Sequence, residues 1–254
     1  MALVVTEAIV LHAFDYRETS RIIRLATREA GVRSVIARGA RRDKSRFGSA
    51  LDLFAQGTAQ LQLHPTGDLH TLSGFDVTRA RPALAAHWAR FAAANALSEI
   101  VLRFAHDDTQ PALYDAYANA LGALEEGDSV AAAAGLAGAW RLVAALGFAP
   151  SVTHCASCGT ALDPDARAKF DHRVGGALCP ACGRSAPGAR ELPPDARAAI
   201  AAWIDGETPP TPDPKSAQSH MRLLREFLNE HLTDHRPLRA FTVWEHGDWG
   251  GRPR

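Results

Sequence analysis

The sequence has 254 residues and a formal net charge of zero, because 28 Lys and Arg residues balance 28 Asp and Glu residues. This length can bury a sizeable core in one large domain or in roughly two to three small ones, and the zero net charge counts against a uniformly basic surface. The first residues lack the basic segment of a secretory signal, and no apolar run approaches the about 20 residues that cross a bilayer. We therefore expect a cytoplasmic protein with no membrane association and with reduced cysteines.

The first 79 residues have the alternating pattern of short β-strands. Residues 53–63 alternate apolar or small side chains with Phe, Gln and Thr, as in a half-buried antiparallel strand. Residues 29–31 and 64–68 have turn composition. The predicted strands are Val4–Phe14, Ser20–Thr27, Val32–Ala37, Leu53–Leu63 and Leu69–Val77. Five short strands favour a small closed barrel or an SH3-like fold, so we assign residues 1–79 to one β domain.

A dense cluster of basic side chains follows the third predicted strand. Residues 17–46 carry ten Lys and Arg residues against three acids. A loop with this many cations can follow nucleic-acid phosphates without reading a sequence, although a charge run is usually only a solvated surface. The candidate DNA-binding residues are Arg38, Arg41, Arg42, Lys44 and Arg46 in the loop, with Arg21, Arg24 and Arg33 on neighbouring strands.

Three aromatic residues near this loop are candidates for stacking on unpaired bases. Tyr16 and Phe47 flank the basic segment, and Phe54 follows it. Aromatic rings on single-strand-binding surfaces stack bases of any sequence. Taken alone, each ring is more often a core residue, and for Phe54 the core is the favoured interpretation.

Near residue 80 the apolar spacing becomes helical. Helices are predicted over residues 82–104, 110–126, 129–146, 193–205 and 216–232. The first of these helices has apolar side chains on two faces, which favours a buried, central position. The apolar residues are Leu84, Trp88, Phe91 and Leu102 on one face, and Leu97, Ile100, Val101 and Phe104 on the other. We assign residues 80–149 and 191–246 to one helical domain, with Phe241–Trp244 as a short strand and residues 247–254 as a disordered tail.

Residues 104–128 are acidic, with six Asp and Glu residues and no Lys or Arg. Such a stretch can face a basic partner, and the plainer interpretation is a solvated helix face.

Residues 150–190 contain all four cysteines of the chain, arranged as two C-x-x-C pairs. Each pair can direct both sulfurs to one metal ion, and four thiolates form a closed tetrahedral zinc site. The predicted ligands are Cys155, Cys158, Cys179 and Cys182. A thioredoxin-like redox pair or two disulfides are the alternatives, and His154 could replace a ligand, although a surface position suits it better. A closed site indicates one structural zinc ion that stabilises a small module.

Signals for an enzyme are weak. The sequence lacks a phosphate-binding G-x-x-x-x-G-K-[ST] loop, a dinucleotide G-x-G-x-x-G motif, a G-x-S-x-G nucleophile elbow and the H-E-x-x-H or H-x-E elements of catalytic zinc sites. We therefore predict no catalytic residues.

Several short motifs together resemble the bacterial RecO family of DNA repair proteins. They are Tyr16-Arg-Glu-Thr-Ser-Arg21, Arg38-Gly-Ala-Arg-Arg-Asp-Lys-Ser-Arg46, Leu146-Gly-Phe-Ala-Pro150, Cys155-x-x-Cys-Gly159 and Gly175-Gly-Ala-Leu-Cys179. The order of the motifs is specific, and they cover most of the chain up to about residue 190. Asp43 departs from the pattern, because it places an acid in the basic loop.

The resemblance implies an α+β fold with an N-terminal five-stranded OB-fold β-barrel and a C-terminal all-helical domain, into which a four-cysteine zinc module is inserted. It implies binding of single- and double-stranded DNA, annealing of complementary strands and mediation of recombinase loading, in the cytoplasm at the nucleoid. The implied partners are RecR, the single-stranded-DNA-binding protein and, indirectly, RecA. The alternative is an RNA-binding or ribosome-associated zinc-containing adaptor; a metal-dependent hydrolase or nuclease is a remote third.

Overall fold

The N-terminal part of the chain is a closed barrel. The structure, a computed structural model, describes residues 2–105, 108–127, 131–207, 212–231 and 236–247. The barrel order is β1-β2-β3-β5-β4. Only β3 and β5 pair in parallel. A short 3₁₀ helix, Gly48–Leu51, lies between β3 and β4, and the whole fits an OB-fold. The strands are β1 (Ala2–Tyr16), β2 (Ser20–Thr27), β3 (Gly31–Ala37), β4 (Gln56–Leu63) and β5 (Leu69–Arg79).

The alternation predicted for the fourth strand is confirmed from Gln56 onward. Ala59 and Leu61 are fully buried inside the barrel, whereas the intervening Gln60 is exposed. The strand begins later than predicted because Phe54 has a left-handed φ of 66°. The chain leaves the barrel wall there, and Phe54 packs into the core of the helices instead.

Two hydrophobic cores meet across one side of the barrel. The interior of the barrel forms the first core. The second core belongs to the helices, but it also includes Ile9, Leu11, Ala26 and Val32 from the outer surface of the barrel. The barrel therefore docks on the helices through part of β1, β2 and β3.

Eight helices and a small three-stranded sheet complete the described part of the chain. The sheet has the order β7-β6-β8. Its strands are β6 (Ala168–Asp171), β7 (Gly176–Leu178) and β8 (Arg190–Leu192). The helices are α1 (Pro82–Ala86), α2 (Trp88–Phe104), α3 (Pro111–Leu124), α4 (Ala131–Ala145), α5 (Pro180–Arg184), α6 (Pro194–Asp205), α7 (Pro214–His231) and α8 (Arg239–Glu245). None of the described helices is long and apolar enough to cross a membrane.

Helix α4 packs closely against its neighbours through two glycines. A Cβ atom on Gly135 would lie 2.6 Å from the Trp244 ring, and one on Gly138 would lie 2.6 Å from the Cβ of Ala120. The missing side chains let α3 and α8 approach α4, so this Ala- and Gly-rich helix lies at the centre of the helical core.

Two predictions for the helical part are wrong. The segment 82–104 is interrupted at His87, which has extended dihedrals, and Trp88 is 61% exposed rather than central. Phe241–Trp244 is not a strand: it lies in α8, where the helical i, i+3 spacing buries both Phe241 and Trp244. Leu232, residues 208–211 and the tail beyond residue 247 lie outside the described residues.

Part of the acidic stretch holds the barrel against the helices. Arg28, which follows β2, forms ion pairs at 3.0 Å with Glu7 of β1 and with Asp115 of α3. Glu125 pairs with Arg81, whose side chain is 1% exposed, and with Arg79 at 2.6 Å. Arg81 also donates a 2.8 Å hydrogen bond to Gln56. At these two positions the acids are interface residues rather than a solvated face; Asp107 and Asp128 lie outside the described residues.

Candidate metal centre and nucleic-acid interface

The four cysteines lie in two tight turns of residues 151–192, which we name the cysteine lobe. In the first turn, the Gly159 amide donates a 2.8 Å hydrogen bond to the Cys155 carbonyl, and Gly159 has a left-handed φ of 74°. In the second, the Gly183 amide donates to the Cys179 carbonyl at 2.8 Å. Each turn bends the chain so that the two cysteines of a pair point the same way.

The four sulfur atoms converge on one point. All lie within 4.8 Å of one another. The Sγ atoms of Cys158 and Cys179, which belong to different turns, are 3.8 Å apart. A tetrahedral zinc ion with Zn–S bonds of about 2.3 Å places its sulfur ligands about 3.8 Å apart. The predicted ligand set is therefore brought together with the dimensions of a four-thiolate metal site.

Electrostatics at the cluster favours a bound cation. Burial raises the pKa of Cys155, but hydrogen bonds from the backbone amides of Cys179, Cys158 and Ser157 outweigh it and bring the pKa to about 6. For Cys182, hydrogen bonding by Ser157 lowers the pKa, while the neighbouring cysteine sulfurs raise it to about 12. Four thiolates at this separation need a positive ion between them.

His154 does not belong to the sulfur cluster. Its Nδ1 lies 3.1 Å from the Thr153 hydroxyl, and the side chain is exposed, in agreement with a surface position.

The cysteine lobe is anchored to the helices rather than free-standing. Phe170 of β6 is fully buried and makes an edge contact with Phe227 of α7, with ring centroids 5.9 Å apart. His172 and Arg190 pair with Glu226 of the same helix. The two cysteine turns therefore lie beside a small sheet whose buried side chains belong to the helical core.

The predicted basic loop follows β3, as expected. It is tied to the β1–β2 turn, because the Arg41 amide donates a 3.0 Å hydrogen bond to the Thr19 carbonyl. Its far end is anchored by Phe47, which is 3% exposed inside the barrel core. Arg38, Arg42, Lys44 and Arg46 are exposed. The loop thus has a fixed base and an outward-facing charged surface.

Three arginines converge on an open groove at this end of the barrel. We name it the basic groove; it has a volume of about 1050 Å³. The cations are Arg17, Arg38 and Arg42, and none forms an ion pair within the described part of the chain. The groove is lined by residues 16–20, Ile36, Arg38, Gly39, Arg42, His64, Leu69 and Thr71.

Two of the predicted cations are partly neutralised. Arg21 and Arg41 both pair with Asp15, at 3.3 and 3.4 Å. The Arg46 guanidinium lies 4.9 Å from the centroid of the Phe47 ring.

Arg24 and Arg33 lie on strands and are half-buried. Arg24 stands opposite Ser34 on β3 and opposite His12 on β1. Arg33 stands opposite Leu25, four residues before the end of β3 and away from the basic loop. The structure therefore places Arg24 nearer to the groove than Arg33.

The buried positions of two aromatic residues correct the stacking prediction. Phe47 is 3% and Phe54 is 1% exposed, so neither ring is accessible to a base. Tyr16 is half-buried at the groove, and the Arg17 guanidinium lies 5.1 Å from its ring centroid.

The outer surface of β1 carries residues that sequence reasoning missed. Phe14 is 45% exposed, and its ring lies 5.8 Å from that of His12. The strand register brings several of these side chains together on one surface, which we name the outer sheet face. Its residues are His12, Phe14, Ile22, Arg24, Ser34 and Ile36. The alternation of residues 12, 14 and 16 along β1 was the signal that could have found it.

Comparison with known proteins agrees with this architecture. The family model "Recombination protein O N terminal" matches residues 1–81, and "Recombination protein O C terminal" matches residues 86–240. The chain is 36% identical over 241 residues to the DNA repair protein RecO of Anaeromyxobacter sp. (strain Fw109-5), covering 92% of this chain and 93% of that protein. It is 29% identical over 258 residues to RecO of Rubrobacter xylanophilus, covering 100% of both chains. The chain belongs to the RecO family of DNA repair proteins.

Proposed function

We propose that this protein binds single- and double-stranded DNA, anneals complementary strands and mediates the loading of a recombinase during recombinational repair. The observation that carries the proposal is the convergence of Arg17, Arg38 and Arg42 on one open groove without ion-pair partners in the described residues. Guanidinium groups bind phosphate oxygens with two parallel hydrogen bonds, so unpaired arginines around a groove suit a nucleic-acid backbone.

The chemistry of the groove suits annealing. Contacts to phosphates position a strand without reading its sequence, which annealing requires because it must act on any sequence. Lys44 and Arg46 extend the cationic surface along the loop. In this proposal the protein acts by binding alone; cleavage of DNA by the pure protein in the presence of a divalent metal would contradict it.

We assign the four-cysteine cluster to one structural zinc ion. Cys155, Cys158, Cys179 and Cys182 fill all four positions of a tetrahedral ion, which leaves none for water or substrate. The ion would lock the two turns together at the end of the buried sheet.

The family resemblance supports RecR, the single-stranded-DNA-binding protein and, indirectly, RecA as partners. The helical domain is the expected docking surface for the acidic, apolar tail of the single-stranded-DNA-binding protein. Preferential binding of RNA, with no annealing of complementary DNA, would instead indicate an RNA-binding or ribosome-associated adaptor.

A strand-annealing assay tests the proposal. Two complementary labelled oligonucleotides are mixed with the protein, with and without the single-stranded-DNA-binding protein, and duplex formation is followed by energy transfer. The double variant Arg38→Ala/Arg42→Ala should bind and anneal weakly. A matched control, Arg173→Ala/Lys215→Ala, removes the same charge from exposed positions outside the barrel and should retain both activities. Equal loss in both variants, or no loss in the first, would refute the assignment.

A further inference from the structure

We propose that the outer sheet face binds unpaired bases by stacking, and that it lets the protein distinguish single-stranded nucleic acid from duplex. The inference rests on the proposed DNA binding by the basic groove and adds to it a second subsite with a different chemistry.

The strand register places the relevant side chains on one surface. Phe14 of β1 stands opposite Ile22 of β2, which stands opposite Ile36 of β3. Residues directly opposite in an antiparallel pair share a face of the sheet. Ile36 also lines the basic groove, so this row of apolar side chains runs from Phe14 into the groove.

The rings along β1 are spaced for more than one base. His12, Phe14 and Tyr16 lie at alternate positions of the strand, so the backbone rises about 6.8 Å from one to the next, and the His12 and Phe14 ring centroids are 5.8 Å apart. The His12 and Phe14 rings are inclined at 50° to each other, so they are not stacked face to face. Phe14 is 45% exposed, and an aromatic ring held open on a sheet is a surface on which any base can stack.

Cations border this surface on two sides. Arg24 lies in the row of His12 and Ser34, and it forms no ion pair within the described ranges. Its Nε is buried and has no hydrogen-bond partner among the residues that the structure describes. Beyond Tyr16, Arg17 and Arg42 line the groove. A sheet face that combines Phe14 with arginines that have no described ion-pair partner is complementary to an extended strand, which combines π-faced bases with a charged backbone.

A duplex cannot use this surface in the same way. Its bases are already stacked and paired, so their faces are not available for stacking, whereas its phosphates remain available to the basic groove. The two subsites therefore predict different substrates: the groove serves both forms of DNA, and the outer sheet face serves unpaired bases alone.

Binding by fluorescence anisotropy separates the two subsites. The probes are a labelled single strand, the same strand in a duplex, and a strand of the same length with abasic sites in place of bases. Phe14→Ala should weaken binding of the single strand by about 5- to 150-fold, since one base loses its stacking partner. Binding of the duplex and of the abasic strand should change less than about twofold, within the scatter of surface substitutions.

Two further variants keep the test decisive. Leu3→Ala removes another exposed apolar side chain from the outer surface of β1, 69% exposed, and should leave all three affinities unchanged. Phe14→Trp preserves a stacking ring, so it should retain single-strand affinity. The tryptophan fluorescence that this variant has in addition to that of the wild type, which contains five tryptophans, should be quenched by the single strand but not by the abasic strand.

Each outcome separates the inference from the proposed function. If Arg38→Ala/Arg42→Ala weakens all three probes but Phe14→Ala affects none, the stacking subsite is refuted and the groove stands; the exposed face is then left for a protein partner. If Phe14→Ala weakens all probes equally, or Phe14→Trp shows no selective quenching, stacking is likewise refuted. If the arginine variant changes nothing, the proposed function itself fails.

Discussion

Asp15→Asn is expected to strengthen DNA binding, because Asp15 holds two of the basic side chains beside the groove. Its carboxylate pairs with Arg21 at 3.3 Å and with Arg41 at 3.4 Å, and it is 56% exposed. Exposed ion pairs of this kind stabilise a fold by only about 0–1 kcal/mol. The substitution should therefore release both guanidinium groups for phosphate contact with little change in the free energy of unfolding.

The size of the effect follows from counterion release. Five cations that form no ion pair with a described residue, namely Arg17, Arg38, Arg42, Lys44 and Arg46, predict a slope of log K against log[salt] of about −3.5 on single strands, at about −0.7 for each contact. Two released arginines would steepen the slope by up to about 1.4. Lowering the salt from about 1 M to about 0.1 M would then raise the affinity of Asp15→Asn by up to about 25-fold more than it raises the affinity of the wild type.

The measurement is a salt titration of single-strand affinity for the wild type and for two variants. Glu18→Gln is the matched control, since it removes one negative charge from the same turn, where Glu18 forms no ion pair with any described residue. It should leave the slope unchanged. If Asp15→Asn gives the wild-type slope, or if Glu18→Gln steepens the slope as much, the release of Arg21 and Arg41 is refuted.

Three further predictions concern the metal centre and the fold. Elemental analysis of the purified protein should find about one zinc ion per chain. Cys158→Ser should lower the zinc content, and His154→Ala should leave it unchanged. A full zinc content in the Cys158 variant would contradict the ligand assignment. Gly176→Ala should destabilise the fold by about 1–3 kcal/mol or more in urea denaturation, because its Cβ would lie 2.2 Å from the Ser151 carbonyl oxygen, whereas Gly188→Ala should be neutral. Burial lowers the pKa of His220 to about 4, so between about pH 6.5 and 4 only the unfolded chain takes up a proton at this position. The free energy of unfolding is therefore unaffected by His220 above about pH 6.5 and falls by up to about 3 kcal/mol as the pH is lowered through this range. His220→Gln should reduce that loss.

The features that depend on local spacing could be predicted from the sequence. Alternation along residues 53–63 indicated a barrel strand, which the structure has over Gln56–Leu63, because one face of that strand is buried and the other is not. The two-residue spacers of the cysteine pairs indicated which four side chains meet, since the geometry of each turn is set within the motif itself. The position of the basic loop after β3 followed from the order of the strands.

The features that depend on contacts between distant residues could not be predicted. Nothing near Phe47 shows that its ring enters the barrel, and the acid that neutralises Arg41 lies far back in β1. The apolar segment 241–244 is too short for its period to distinguish a strand from a helix, and its packing against α2 and α4 decides the outcome.

The ion pairs between the barrel and the helices also bear on how a polyanion first approaches the protein. Arg28 follows the last residue of β2, and Arg79 and Arg81 lie at the end of β5, so all three are remote from the groove, which lies where those strands begin. Their three positive charges are offset by Glu7, Asp115 and Glu125. The barrel cations that form no ion pair with described residues, Arg17, Arg38 and Arg42, meet at the groove, so in the proposed function they should attract an incoming strand toward that end of the barrel. Because the net charge of the protein is zero, this local concentration of positive charge should orient the encounter with a polyanion. The expected result is an association rate constant that falls steeply as the ionic strength is raised.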